Sequence, residues 1–174
     1  MKTILVFVTT LDGKITKWGD PHVHRWSSKE DQAYFKQIWK DYDLFVMGSA
    51  TYAFDPMKPS SEYLLVVMTS DPQKYSTYAA PGQIEFTAES LKEIFERFAS
   101  AGHKQMVVVG GAHIATSWLE AGLIDELWLT LEPKIFASGG NFVAEAKLEI
   151  DLHLTSIEKV NEKGTLILKY EVLK

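Results

Sequence analysis

Val107-Val108-Val109-Gly110-Gly111 carries the strongest structural signal in the chain, because an apolar, β-branched run stops at two glycines. The pattern predicts a buried strand over residues 106–109 and, after the glycines, a helix over 112–121 that ends at Gly122. A glycine pair between a strand and a helix lets backbone N–H groups approach a phosphate, which the helix dipole favours. The third glycine of the usual dinucleotide-binding motif is missing, so a plain tight turn is an equally good interpretation.

Strand and helix patterns alternate on either side of this stretch. Apolar runs predict strands over residues 3–8, 44–47, 64–68, 83–86 and 126–131. The end of the chain differs, because apolar and polar residues alternate over 148–154 and a turn at 161–164 leads into a last strand over 165–173. We therefore predict a single domain over residues 1–174 with a three-layer α/β fold: a mostly parallel central sheet, helices on both faces and a C-terminal antiparallel hairpin.

Two further helices are predicted from their capping residues. Ser27 and Glu30 have the spacing of a capping box at the start of one helix. Thr87 is the expected cap of the other, which ends at Gly102. The first of these helices is expected to direct four apolar residues toward a core: Tyr34, Phe35, Ile38 and Trp39.

The composition is that of a globular protein and excludes several functional classes. Hydrophobic residues make up 46% of the chain and charged residues 24%, and there is no cysteine for a disulfide, a thiolate metal site or a nucleophile. The net charge of -5 and the lack of basic runs argue against nucleic acid as a partner. No segment approaches the roughly 20 apolar residues of a membrane span. We expect a cytoplasmic protein that binds neither nucleic acid nor membrane. His22-Val23-His24 is interpreted as an ordinary polar loop, with no metal.

Two other strand ends carry residues suited to phosphate. Gly48-Ser49-Ala50-Thr51 follows the strand over 44–47, and Thr69-Ser70 follows the strand over 64–68. In open parallel sheets, ligands bind at the carboxyl ends of the strands. Three such ends with glycine or hydroxyl residues favour a long, polyanionic ligand such as a dinucleotide.

A family resemblance extends over nearly the whole chain. Asp31-Gln32-Ala33-Tyr34-Phe35-Lys36 and Val46-Met47-Gly48-Ser49-Ala50-Thr51-Tyr52 resemble the first helix and the cofactor loop of dihydrofolate reductases. Thr10-Leu11-Asp12-Gly13-Lys14-Ile15 and Gly122-Leu123-Ile124-Asp125-Glu126-Leu127, followed by Pro133, are similar to the reductase domain of bacterial riboflavin-biosynthesis enzymes. The order of these motifs implies a dihydrofolate-reductase-like fold and an NADPH-dependent reductase.

The resemblance also implies residue roles. Asp31 matches the carboxylate that orients and helps to protonate a pterin ring, and Thr130 matches the hydroxyl that supports it. The implied substrate contacts are Asp12, Lys14, Trp26 and Asp55. The implied NADPH contacts are Gly48, Ser49, Thr51, Thr69, Ser70, Gly110, Gly111, Ala112 and His113.

Simpler interpretations and departures from the family pattern stay open at several positions. An acid in the first turn of a helix, such as Asp31, is also favoured by the helix dipole alone. Asp55-Pro56 equally suits a turn. Ser49 replaces a basic residue that grips cofactor phosphate in dihydrofolate reductases, and residues 57–63 contain no arginine to hold a carboxylate or phosphate on the substrate.

These observations predict the activity only at the level of a reaction class. We expect hydride transfer from NADPH to a C=N or carbonyl group of a pterin-, pyrimidine- or sugar-derived small molecule. The alternatives are 5-amino-6-(5-phosphoribosylamino)uracil reduction in riboflavin biosynthesis and a non-catalytic NADPH-binding protein. The family resemblance and the apolar residues of the C-terminal hairpin further suggest a homodimer.

Overall fold

The computed structural model describes all residues from Met1 to Lys174 and contains eight strands and four α-helices. The strands are β1 (Lys2–Thr10), β2 (Leu44–Gly48), β3 (Leu64–Met68), β4 (Ile84–Thr87), β5 (Gln105–Val108), β6 (Glu126–Glu132), β7 (Leu152–Lys159) and β8 (Leu166–Val172). The helices are α1 (Lys29–Asp41), α2 (Ser49–Phe54), α3 (Leu91–Ser100) and α4 (Ala112–Glu120). Short 3₁₀ helices lie at Val23–Arg25 and Pro72–Tyr78. None of the helices combines the length and the apolar character that crossing a membrane requires.

All eight strands form one sheet in the order β4-β3-β2-β5-β1-β6-β8-β7. The strands from β4 to β6 are parallel, and β8 is antiparallel to both of its neighbours. The predicted architecture is therefore confirmed, including the C-terminal antiparallel hairpin. The order also brings the ends of β2, β5, β1 and β6 side by side.

Each face of the sheet carries its own apolar core. Alternate residues of a strand point to opposite faces, so Leu44 and Val46 join one core while Phe45 and Met47 join the other. The first core is covered by α3 and α4, and it includes the fully buried Trp118 of α4. The second core is covered by α1 and α2. The three-layer arrangement follows from this burial on both faces.

Two predicted helix caps are wrong, and both errors have a local cause. Ser28, not Ser27, caps α1, and its hydroxyl accepts the N–H of Asp31 at 3.2 Å. Ser90, not Thr87, caps α3 and forms a complete capping box with Glu93. Thr87 belongs to β4 and the turn after it, where its hydroxyl bonds to the glutamate two residues later.

The C-terminal hairpin begins later than its alternating pattern suggests. β7 starts at Leu152, while Leu148 and Ile150 pack in a loop against the first core. Every residue of β7 is exposed, and Ile157 keeps 60% of its surface accessible. β7 is an edge strand, so one side of its backbone is unpaired.

Candidate active site

A cleft of about 510 Å³ opens at the carboxyl ends of the central strands. Its floor is formed by the ends of β1, β2, β5 and β6, and its walls are formed by α1, the start of α4 and the loop between β1 and α1. In parallel α/β sheets this edge is the usual position of a ligand. Of the predicted site residues, the cleft brings together Asp31, Gly48, Thr51, Asp55, Gly110, Gly111, Ala112, His113 and Thr130.

The two glycine junctions lie directly beside each other in this cleft. Gly48 N–H donates to the carbonyl of Gly110 at 2.9 Å, which joins the end of β2 to the turn after β5. A Cβ atom at Gly48 would lie 2.8 Å from Cγ1 of Ile114, and one at Gly111 would lie 2.9 Å from Oγ1 of Thr51. Gly110 has φ of +106°, in the region that favours glycine. Any larger side chain would therefore disturb the turn.

The start of α4 offers unpaired backbone donors to the cleft. Gly111 is the N-cap of α4 and provides no side chain to cap the helix. The N–H groups of Gly111, Ala112, His113 and Ile114 donate to no other atom of the protein. Free N–H groups and the positive end of the helix dipole together make an anion site. This site needs no lysine or arginine.

Asp31 is a buried carboxyl group on the opposite wall of the cleft. Only 5% of its surface is exposed, and it lies in the first turn of α1, whose N-cap Ser28 donates its N–H to Glu132 of β6 at 2.6 Å. Burial raises the pKa of Asp31, and the negative charge of Glu132 adds to this rise. The hydroxyls of Thr130 and Ser27 lie beside the carboxylate and lower the pKa of Asp31, which offsets part of this rise. The predicted pair of Asp31 and Thr130 is thus adjacent, and Asp31 is suited to keep a proton at a higher pH than an exposed aspartate.

Three predicted cofactor residues lie outside the wall of the cleft. Thr69 and Ser70 follow β3, which is the next strand outward from β2. The Thr69 hydroxyl accepts the N–H of Asp71 at 3.2 Å and so takes part in the turn, while Ser70 is exposed. Ser49 begins α2 and is half-buried beside the cleft.

Three of the predicted substrate contacts have structural surroundings instead. Asp12 accepts N–H groups of Phe136 and Ala137 at 3.2 and 2.7 Å, and so ties the end of β1 to the loop after β6. Lys14 donates to the side chain of Asn141 at 2.8 Å. Trp26 is buried, with only 6% of its surface exposed, and packs edge-to-face on Phe136. None of the three lines the cleft.

The walls of the cleft also contain residues that the sequence did not indicate. Tyr34 and Phe35, which were predicted to face a core, line the cleft, and the buried hydroxyl of Tyr34 has no hydrogen-bond partner. Ile38 lies within the second core, and Tyr34 and Trp39 pack against it, with Trp39 stacked on Phe45. Of that set only Phe35 lies outside the core. Helical periodicity cannot separate a core face from a cleft face, because both are apolar. The remaining apolar wall residues include Ile15, Phe54 and Met57.

The charged groups in the cleft are acidic. Asp31 and Asp55 are the only carboxylates among the lining residues, and no lysine or arginine lines the cleft. Arg25, which follows the lining residue His24 in sequence, forms an ion pair with Asp20 at 2.8 Å. His22, whose Nδ1 also contacts Asp20, lines the cleft.

Comparisons with known proteins agree with this description. Residues 1–166 match the family model of the RibD C-terminal domain. The chain is 24% identical over 174 residues to YwjB of Bacillus subtilis (strain 168), an uncharacterized protein, and the alignment covers 94% of this chain and 90% of YwjB.

Solved structures share the fold at low sequence identity. A pyrimidine reductase-like protein from Corynebacterium diphtheriae has a TM-score of 0.79 at 16% identity, with 99% of this chain and 92% of that chain covered. Dihydrofolate reductase from Enterococcus faecalis, in complex with NADP(H) and RAB-propyl, has a TM-score of 0.68 at 24% identity, with 98% and 94% covered. The predicted dihydrofolate-reductase-like fold is confirmed. Because the family match extends over almost the whole chain, the protein belongs to the RibD C-terminal domain family.

Proposed function

We propose that this protein is an NADPH-dependent reductase that acts on a C=N or carbonyl group of a small molecule. The observation that carries this proposal is that an anion site at the start of α4 and a buried carboxyl group with a raised pKa, Asp31, face the same cleft. A dinucleotide needs an anion site for its phosphates, and proton delivery to a substrate needs a group such as the Asp31 carboxyl.

The glycine junctions fit the phosphates of NADPH. The free N–H groups of Gly111, Ala112 and His113 would hold the pyrophosphate, with Gly48 and Thr51 beside them. Thr69 and Ser70, at the end of the neighbouring strand, would meet the 2′-phosphate. NADPH, when bound, supplies the hydride. The protein supplies the position of the reacting groups and excludes water from the apolar walls.

Asp31 would deliver the proton that accompanies reduction. Burial raises the pKa of Asp31, which favours its protonated form relative to that of an exposed aspartate at the same pH. Thr130 would hold the carboxyl group in orientation from β6. Tyr34 lines the cleft and would contact the substrate through its ring, since its hydroxyl is buried.

The walls of the cleft favour a flat substrate without phosphate. Aromatic side chains such as Phe35 and Phe54 suit a planar ring, and the charged groups are the carboxylates Asp31 and Asp55. With the start of α4 assigned to the cofactor, an anionic substrate group would rely on an arginine or lysine, and none lines the cleft. A pterin- or pyrimidine-like ring is therefore better supported than the phosphoribosylamino-uracil of riboflavin biosynthesis, although the family match keeps the latter as the second candidate.

A thermal-shift titration with NADPH and NADH tests the cofactor site. NADPH at a hundred times its Kd should stabilise the protein by about 2.7 kcal/mol, which for a chain of this size raises Tm by roughly 5–11 °C. A smaller rise with NADH is expected if the 2′-phosphate is bound. No rise with either cofactor would overturn the proposal.

Turnover is tested with matched substrates in the presence of NADPH. Oxidation of NADPH should occur with a pterin or pyrimidine and be slower when the same ring carries a phosphate. Faster turnover of the phosphorylated compound would favour the riboflavin-pathway reaction. Cofactor binding without oxidation on any such compound would identify a non-catalytic NADPH-binding protein.

A further inference from the structure

Glu132, the last residue of β6, is a buried carboxylate that has no part in lining the cleft. Only 2% of its surface is exposed. Its Oε1 accepts the backbone N–H of Ser28 at 2.6 Å, and its Oε2 accepts the hydroxyl of Thr165 at 2.9 Å. No lysine, arginine or histidine lies within ion-pair distance. A buried carboxylate without a cation is costly, so its hydrogen bonds have to compensate for the lost solvation.

The hydrogen bonds of Glu132 lead directly to Asp31. Ser28 is the N-cap of α1, and its hydroxyl accepts the N–H of Asp31 at 3.2 Å. Glu132 therefore holds the residue from which the first turn of α1 starts. Thr130, two residues earlier on the same strand, points to the same face of the sheet and reaches the Asp31 carboxyl group.

A second contact secures the same turn from the C-terminal hairpin. Asn161, in the turn between β7 and β8, donates to Glu30 of α1 at 3.1 Å and to the Thr165 hydroxyl at 2.9 Å. Its side-chain oxygen accepts the N–H groups of Gly164 and Thr165, each at 3.1 Å. The start of α1 is thus joined to β6 and to the hairpin by one hydrogen-bonded network.

We propose that Glu132 is a positioning residue of the site, which fixes the first turn of α1 and keeps a negative charge beside the Asp31 carboxyl group. It acts through Ser28 and through its charge, without touching a ligand. This role in turnover rests on the proposed function, whereas its effect on Asp31 does not.

The surroundings of Asp31 explain why this charge matters. The titratable groups that face it are Glu132 from β6 and Tyr34 from its own helix, and the uncharged hydroxyls of Ser27 and Thr130 complete the shell. None of these is a cation. A fixed negative charge opposes ionisation of a neighbouring carboxyl group, so Glu132 favours the protonated form of Asp31.

Two conservative variants separate the effect of the Glu132 charge from the effect of its hydrogen bond to Ser28. Glu132→Gln keeps the length of the side chain and an oxygen for the Ser28 N–H but removes the charge. Glu132→Asp keeps the charge but withdraws it by one methylene from Ser28. Carboxyl ¹³C NMR of aspartate-labelled protein, with the Asp31 signal assigned from Asp31→Asn, follows the Asp31 titration without substrate. Amide hydrogen exchange follows the Ser28 N–H.

We expect the Asp31 titration to move to lower pH in Glu132→Gln, with the Ser28 amide still protected. In Glu132→Asp the Ser28 amide should lose protection, and kcat should fall about 10- to 100-fold at nearly unchanged KM for NADPH, since misplacing a reacting group slows turnover strongly. An unchanged Asp31 titration in Glu132→Gln together with a protected Ser28 amide in Glu132→Asp would overturn the inference. Because both readouts are independent of turnover, an inactive wild-type protein would contradict only the proposed function.

Discussion

Gly111→Ala tests the glycine junction most directly, because a single methyl group is added at the start of α4. The added Cβ would lie 2.9 Å from Oγ1 of Thr51, well inside ordinary contact distance. The backbone of Gly111 has φ of -82°, so alanine there meets this contact without the strain of a positive φ. Overpacking of this kind costs about 1–3 kcal/mol, which for a chain of this size lowers Tm by roughly 2–12 °C.

The same methyl group should weaken NADPH binding. Relieving the contact moves Thr51 or the first turn of α4, and both belong to the proposed phosphate site. We expect the Kd for NADPH, measured by isothermal titration calorimetry, to rise about tenfold or more, which corresponds to about 1.4 kcal/mol.

Gly102→Ala is the matched control for this substitution. Gly102 follows α3 with φ of +94° and has open space around its Cβ position, so alanine there costs about 1–2 kcal/mol through the backbone conformation. It does not line the cleft, and NADPH affinity should be unchanged. If Gly111→Ala lowers Tm yet binds NADPH as tightly as the wild type, the start of α4 is not the phosphate site.

Three further predictions concern Asp31 and the hairpin. Asp31→Asn should reduce kcat by about 10²- to 10⁴-fold, the usual contribution of a general acid, with little change in Kd for NADPH; full activity would exclude Asp31 as the proton donor. Because burial raises the pKa of Asp31, the stability linked to its proton is complete below the unfolded carboxyl pKa and is lost as pH rises through the folded pKa. Urea melts should therefore show Asp31→Asn more stable than the wild type at neutral pH, with the difference vanishing below about pH 4; equal stability at both pH values would contradict the raised pKa. Light scattering should give twice the mass of the chain, and Ile157→Lys on the exposed face of β7 should give the monomer; a wild-type monomer would refute the homodimer.

The sheet and the glycine junctions could be predicted from sequence because their signals are local. The run from Val107 to Gly111 changes from apolar strand to glycine turn within five residues, and the turn lies where this change predicts it. The adjacency of Gly48 and Gly110 follows from the parallel order of β2 and β5. Local periodicity therefore sufficed to find the two junctions, whereas their adjacency comes from the strand order that the structure shows.

The other half depends on contacts between distant segments. Ser27 and Ser28 are both plausible caps of α1 by their spacing. The hydrogen bond from the Ser28 N–H to Glu132 joins two residues that are 104 positions apart in sequence. Trp26 packs on Phe136 and does not line the cleft. No short-range pattern encodes either contact. Glu132 lies just after the predicted strand over 126–131, and it is distinguished only by its burial and its hydrogen bonds in the structure.

The central place of β1 in the sheet has a consequence for how the chain folds. β1 comes first in sequence, but its neighbours are distant: Lys2 pairs with Gln105 and Ile4 pairs with Glu126. A growing chain thus exposes an apolar strand with two unpaired edges until β5 and β6 have been synthesised. Closing such long loops makes folding slower than in helical proteins of the same length, and the waiting strand is prone to aggregation. Nascent chains that stop before β6 are therefore the species that we expect chaperones to retain.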